Sequence, residues 1–229
     1  MTFPPFRPIG VHLRLPDMHV HQDLTLLPEF TRAVVTIGTF DGVHLGHRQI
    51  IAQMQEVARK EAGETVIITF HPHPRSVVRD NKGSVRLLTT MPERIRLLEA
   101  LGIDHLVVIP FTESFASQEA SAYIRDFLVK YFRPHTIIIG YDHRFGRGRS
   151  GDYQLLEACA PLYGYRVLEI DATLLKELSI SSTRIREALT RGDAGEATAL
   201  LGYPYFLKAG WLRETSADVP SGFPLPISI

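Results

Sequence analysis

Strand-like and helix-like segments follow one another in strict alternation along this chain, and that order narrows the fold more than any other feature. Arg32–Ile37, Thr65–Phe70, Leu106–Ile109 and Thr136–Ile139 are short β-branched or apolar runs without polar alternation, the pattern of strands covered on both faces. Tyr165–Ile170 reads as a fifth strand. Between them, Gly46–Ala62 places Ile50, Ile51, Met54, Val57 and Ala58 at helical spacing, with Gly63 where a left-handed cap would sit. Pro92–Leu101, Ser117–Phe132 and Gly151–Leu162 read as further helices, the first and last followed by Gly102 and Gly164. Two short helices, Ser182–Thr190 and Ala194–Leu201, close the regular part. Such an order predicts an α/β fold with a doubly wound, five-stranded parallel sheet, whose ligands bind outside the carboxyl ends of the strands.

Composition removes several classes of function. The chain has 229 residues, 45% of them hydrophobic, with 25 Lys plus Arg against 25 Asp plus Glu. That is enough apolar material for a core, and a net charge of zero lacks the footprint of a nucleic-acid or membrane-surface binder. Small-molecule substrates are therefore expected, with no nucleic-acid and no membrane partner, and an anionic ligand has to be held by local groups. The single cysteine, Cys159, cannot form an intrachain disulfide, which fits a cytoplasmic location. Residues 1–17, with four prolines and no periodic pattern, are expected to be an unstructured leader, with Met18 as the true start. The domain is expected over 18–205, and 206–229 as a tail.

The chemistry-bearing residues cluster after the strands. Behind the first lies Gly38-Thr-Phe-Asp-Gly-Val-His-Leu-Gly-His47. Free backbone N–H groups and the positive end of the next helix make an anion site there. His44 and His47 reach one side, and Gly46 lets a ligand approach. The plainer alternative makes Asp41 a helix cap and the histidines surface residues. Behind the fourth strand, Gly140–Asp152 holds four glycines and three arginines in thirteen residues, a flexible basic loop suited to a phosphate and a flat ring. Behind the second, Phe70-His-Pro-His-Pro-Arg75 is stiffened by two prolines and expected to be extended. Its two histidines lack the partners of a zinc pattern, and no protein-held metal is expected. Behind the fifth, Ile180-Ser-Ser-Thr-Arg-Ile-Arg186 opens a helix that Ser181 or Ser182 can cap while Thr183 and Arg184 meet a second anion. Two anion sites suit a triphosphate and its leaving pyrophosphate.

Taken together, Gly-Thr-Phe-Asp-x-x-His-x-Gly-His and Ile-Ser-Ser-Thr-x-x-Arg resemble the motifs of the Rossmann-like nucleotidyltransferase superfamily. Phe70-x-Pro-His-Pro and Gly140-x-Asp-x-Arg-Phe-Gly narrow the resemblance to the adenylyltransferase module of the prokaryotic bifunctional FAD synthetases, over about Met18 to Tyr205. The resemblance implies transfer of AMP from ATP to FMN, with FAD and pyrophosphate as products and no covalent intermediate. It makes His44, His47 and Arg184 the catalytic residues. The ATP phosphates fall to Gly38, Thr39, Phe40, Asp41, Gly46, Ser181, Ser182 and Thr183. The flavin falls to Phe70, His73, Pro74, Arg75, Asp142, Arg144, Phe145 and Arg149. A Mg²⁺ ion is expected, held mostly by substrate oxygens and water. Positions 71 and 143 depart from the pattern, being His, and Gly222-Phe-Pro-Leu-Pro-Ile227 lacks the Thr and Asn of the riboflavin kinase motif. Kinase activity is therefore not expected of this chain. Another nucleotidyltransferase of the same fold, or a non-catalytic nucleotide binder, are the alternatives.

Overall fold

The computed structural model describes residues 18–78, 86–170 and 180–205. The expected leader, 1–17, and the expected tail, 206–229, lie outside the described residues. Six strands form one parallel sheet: β1 (His19–His21), β2 (Val34–Ile37), β3 (Thr65–His71), β4 (His105–Pro110), β5 (Thr136–Gly140) and β6 (Arg166–Ile170). Their order is β1-β4-β3-β2-β5-β6, with every neighbouring pair parallel. From β2 the chain winds outward through β3 to β4, then returns to β5 on the other side of β2. The topological switch therefore falls between β2 and β5, where a doubly wound sheet opens a crevice.

The five expected strands are all present, and β1 adds a sixth. It spans three residues at the sheet edge, too few to show a period, and pairs His19 with His105 of β4. His21 Nε2 and His105 Nδ1 meet at 3.1 Å beside that ladder.

Besides short 3-10 helices at Leu24–Leu26 and Arg147–Arg149, eight helices accompany the strands among the described residues. These are α1 (Leu45–Glu61), α2 (Pro74–Val78), α3 (Met91–Glu99), α4 (Glu113–Ala116), α5, α6 (Tyr153–Tyr163), α7 (Ser182–Thr190) and α8 (Ala194–Leu201). Helix α5 is composite: an α turn at Ala120–Ala122, a π-helical stretch at Tyr123–Val129 and a last turn at Lys130–Phe132. It starts three residues later than the periodicity suggests because Thr112 caps α4 in the preceding segment. Thr90 and Glu93 form a reciprocal capping box at the start of α3. At the end of α1 the left-handed residue is Ala62, with φ 50°, rather than the expected Gly63. Glycine is needed at 63 for another reason, since a Cβ there would lie 2.4 Å from the Arg32 carbonyl oxygen.

Side-chain alternation explains the layers. Val35, Ile37, Ile68, Ile137 and Ile139 point to one face and pack on α5 and α6 through Ile124, Phe127, Leu128 and Leu156. Val34, Ile67, Leu106 and Ile138 point to the other and pack on α1 and α3 through Ile51, Met54 and Leu98. A third, smaller cluster joins Leu88 to Ile185, Ala188, Ala197, Leu200 and Leu201 of α7 and α8, beside the sheet rather than on it.

The central position of β5 sets a stability expectation. Ile137→Ala, at a fully buried residue, should cost roughly 2–5 kcal/mol in urea unfolding. Leu162→Ala, at an exposed leucine, should stay within about 0.5 kcal/mol of the parent. Equal losses would contradict the layer assignment.

Candidate active site

Strand β2 leads into a loop with an unusual backbone. Phe40, Gly42 and Val43 have φ of 48°, 81° and 38°, and the chain then enters α1 at Leu45. The cap of α1 is His44, whose Nδ1 accepts the His47 N–H at 3.3 Å. Asp41, the alternative cap, does something else. Its carboxylate is fully buried and accepts the N–H of Leu88 at 2.9 Å and of Thr89 at 3.1 Å. It also pairs with Arg94 of α3 at 3.5 Å and with Arg186 of α7. A carboxylate engaged by two guanidiniums and two amides has its oxygens already taken up and is unavailable to a phosphate. Only the Asp41 backbone is left for that role.

The two histidines lie against each other, ring centroids 3.6 Å apart and planes 14° from parallel. Phe40 covers His47 from the side, centroids 4.9 Å apart. Burial lowers the pKa of His44 to about 4, with the Arg186 charge opposing protonation and the Asp41 charge favouring it. Burial, then His44 and Arg94, hold His47 well below the usual imidazole range. Both rings are thus neutral at pH 7. His44 accepts at Nδ1, so its proton sits on Nε2. His47 Nδ1 is buried without a hydrogen-bond partner. Neutral stacked imidazoles at a helix N-terminus can donate to an anion, and the anion would in turn favour their protonation. His73, after β3, belongs to the same neighbourhood. Burial lowers its pKa to about 4, and its ring feels Asp41, Arg186 and Arg94.

The second of the expected phosphate motifs reaches the first through α7. Ser181 caps the helix, accepting the Arg184 N–H at 3.2 Å, while Ser182 Oγ donates to the Asp41 carbonyl at 3.0 Å. The arginine that joins the site is Arg186, which pairs with Asp41 and donates from Nε to the Arg86 carbonyl at 2.6 Å. Arg184, the residue expected from the sequence, instead pairs with Glu196 of α8 at 2.9 Å. Helical geometry is the reason: 182 and 186 share a face, whereas 184 points some 200° away from 182 at 100° per residue. Thr183 is exposed beside the cap. Sequence reasoning also missed Arg94, although it lies one turn after the Thr90 and Glu93 capping box.

The loop after β5 departs from its expected flexibility. Phe145 and Gly151 exchange backbone hydrogen bonds of 3.1 and 2.9 Å, closing it into a small bridge. Arg147 N–H donates to the Gln118 carbonyl at 2.7 Å. A Cβ on Gly151 would lie 2.4 Å from the Phe145 ring, so that glycine serves packing rather than mobility. Phe145, expected against a flat ligand, is buried and lies 5.1 Å from the Tyr123 ring, near parallel to it. Arg144 pairs with Asp152 at 3.0 Å, Arg147 pairs with Glu119, and Arg149 forms no ion pair among the described residues. Asp142 is exposed. Phe70 is likewise buried, in an aromatic group with Phe111 and Phe115. Beyond it the chain is not extended as expected, because a cis His71–Pro72 peptide turns it and Pro74 and Arg75 open α2. His73 Nδ1 accepts the Arg75 N–H at 3.1 Å.

The depressed histidines make stability depend on pH with a definite sign. An unfolded chain takes up these protons near pH 6.5, the folded chain only near pH 4 for His44. Stability should therefore be level above pH 6.5 and fall as the pH drops from 6.5 toward 4. His44→Asn keeps a good helix cap but does not titrate. Its melting temperature should lose less over that interval than the parent's in a calorimetric series. Parallel curves would remove His44 as a source of the slope.

Residues 27–184 match the family model described as FAD synthetase. A bifunctional riboflavin kinase/FMN adenylyltransferase from Escherichia coli K12 is 35% identical over 191 residues, 83% of this chain and 61% of that protein. A relative from Geobacillus thermodenitrificans, whose name carries the same two activities, is 38% identical over 190 residues, 82% of this chain and 98% of its own length. A solved structure described as a macrolide-efflux protein from Streptococcus pneumoniae superposes with a TM-score of 0.69 at 26% identity, covering 82% of this chain and 60% of that one. Among the described residues no helix is long and apolar enough to cross a membrane. With a family model matched over most of the chain, and its two signature loops meeting at Asp41, the chain belongs to the FAD synthetase family.

Proposed function

We propose that this chain transfers the AMP moiety of ATP to FMN, yielding FAD and pyrophosphate. The chain spans 61% of the length of the Escherichia coli relative, and the reading concerns the adenylyltransferase step alone. The observation that carries it is the union of two helix N-terminal loops at one residue: Ser182 of α7 donates to the Asp41 backbone carbonyl and Arg186 of α7 pairs with the Asp41 carboxylate, in the loop before α1. Two anion sites tied at that point suit the two halves of a triphosphate that is about to be split.

In this reading an oxygen of the FMN phosphate bonds to the α-phosphorus of ATP. The bond between that phosphorus and the α–β bridging oxygen breaks, its electron pair leaving on pyrophosphate. The chain's contribution is orientation and charge stabilisation. His44 and His47 donate to the phosphate oxygens, and the backbone of Gly38, Thr39, Phe40 and Asp41 lines the meeting point, with Gly46 allowing close approach. Ser181, Thr183 and Arg186 receive the pyrophosphate, Arg186 taking the place expected of Arg184. For the flavin, the exposed Asp142 and Arg149 together with Arg75 and Pro74 are the polar and rigid surfaces on offer. Phe70 and Phe145 support them from beneath, the exposed Arg144 stands beside them paired with Asp152, and His73 faces the phosphate end. Mg²⁺ bound to the substrate phosphates would neutralise their charge. No group of three or more metal-binding side chains occurs among the described residues, and Asp41 is already engaged, so the donors that fit such an ion are substrate oxygens and water.

Incubation with FMN, ATP and Mg²⁺ followed by chromatography should give FAD and pyrophosphate. FAD absent and another phosphate acceptor adenylylated would move the chain to a sister activity of the same fold. His44→Ala and His47→Ala should each lower turnover by roughly 10² to 10³. Arg186→Met should lose more turnover than Arg184→Met, and the reverse ranking would restore Arg184 to the site.

A further inference from the structure

The loop before α1 has its carbonyl oxygens taken up by hydroxyls from three other elements. Thr69 Oγ1 of β3 donates to Thr39 O at 3.1 Å, Ser182 Oγ of α7 to Asp41 O at 3.0 Å, and Tyr203 Oη, just past α8, to Gly42 O at 2.6 Å. Inside the loop, Phe40 O accepts the Val43 N–H at 3.1 Å. These bonds hold a backbone that would otherwise relax. Phe40 at φ 48° and β-branched Val43 at φ 38° sit in the left-handed region, which costs a non-glycine residue of the order of 1 kcal/mol or more and persists only where neighbours over-determine it.

Tyr203 differs from the other two hydroxyls in where it comes from. It lies beyond residue 184, outside the segment matched by the family model, and outside both phosphate motifs. Its ring is nonetheless closely fixed. Arg48 of α1 lies 5.4 Å from its centroid, a cation–π distance. Gly202 before it ends α8 at φ 75°, and a Cβ there would stand 2.4 Å from Leu45 at the start of α1. Burial pushes the phenol up to about 12, so it remains a donor at neutral pH. Its acceptor, Gly42, stands two residues before His44.

We propose that Tyr203 is a positioning residue of the phosphate site, its hydroxyl fixing the Gly42 carbonyl and through it the stacked His44 and His47 rings. The proposal rests on reading that site as one for a polyphosphate. Helix α8 and Tyr203 after it are thereby part of the working unit.

The test is Tyr203→Phe, which keeps the ring and its contact with Arg48 and removes only the hydroxyl. Ile103→Val serves as a control for lost stability, being buried two residues before β4. The measurements are kcat and KM for FAD formation, melting temperature, and the affinity for inorganic pyrophosphate by calorimetry. Tyr203→Phe should lower kcat about tenfold and weaken pyrophosphate severalfold, the worth of one oriented hydrogen bond, with KM for FMN unchanged. Ile103→Val should lower the melting temperature at least as much and leave kcat alone. Parent-like kcat and pyrophosphate affinity in Tyr203→Phe would overturn the proposal, and so would an equal loss of kcat in Ile103→Val. If the parent makes no FAD yet binds pyrophosphate, and Tyr203→Phe weakens that binding, the positioning role stands and the FMN reading falls. A parent that neither makes FAD nor binds pyrophosphate sinks both.

Discussion

The buried Asp41 carboxylate is the point on which the site's geometry depends. Four groups from three segments converge on it: the amides of Leu88 and Thr89, the guanidinium of Arg94 and that of Arg186. A carboxylate taken out of water needs such partners, and two arginines brought together need the carboxylate. Neither the loop before α1, nor the segment before α3, nor α7 could keep its place without the other two. The charge pattern that fixes the fold at the switch point is therefore the one that sets the spacing of the loops before α1 and α7, the two proposed phosphate loops.

Much of this was legible in the sequence, for reasons that can be stated residue by residue. Strands β2 to β5 are runs of Val, Ile, Thr and Phe that only a sheet covered on both faces buries, so their order alone implied the topology. The His44 and His47 loop was recognisable because glycine and imidazole stood together between a strand and a helix. What could not be read was anything set by partners distant in sequence. Strand β1 is three residues whose identity as a strand comes from His105 and the rest of β4. Asp41 reads from the sequence as a phosphate-loop residue, or alternatively a cap, because its true partners lie 47 to 145 positions away. The choice between Arg184 and Arg186, by contrast, was available: once Ser182 is placed at the start of a helix facing the site, the residue four further on shares that face and the residue two further on does not.

Glycine was the other source of misreading. The Gly140–Asp152 stretch has the composition of a mobile loop, and its residues instead form a tight closed turn in which Gly151 admits the Phe145 ring and Gly146 lies against Ala120. Composition cannot distinguish a glycine that frees the backbone from one that lets two surfaces touch. The aromatic rings of this region, Phe70, Phe145 and Tyr123, accordingly go to the core, leaving polar and charged groups at its surface.

The small cluster under α7 and α8 has a consequence for how activity and integrity separate. It is distinct from the two large clusters that sandwich the sheet, and its polar links to the rest run through Asp41 and Gly42. Elements with little apolar burial of their own open at lower free energy than the core they lean on. The helical pair is thus the part expected to open first, and its opening would take Ser182, Arg186 and Tyr203 away from the loop before α1. Molecules opened in this way would be folded by any spectroscopic measure of the sheet and yet lack the proposed grip on a phosphate, so activity is expected to fail at a lower temperature than the one at which the sheet melts.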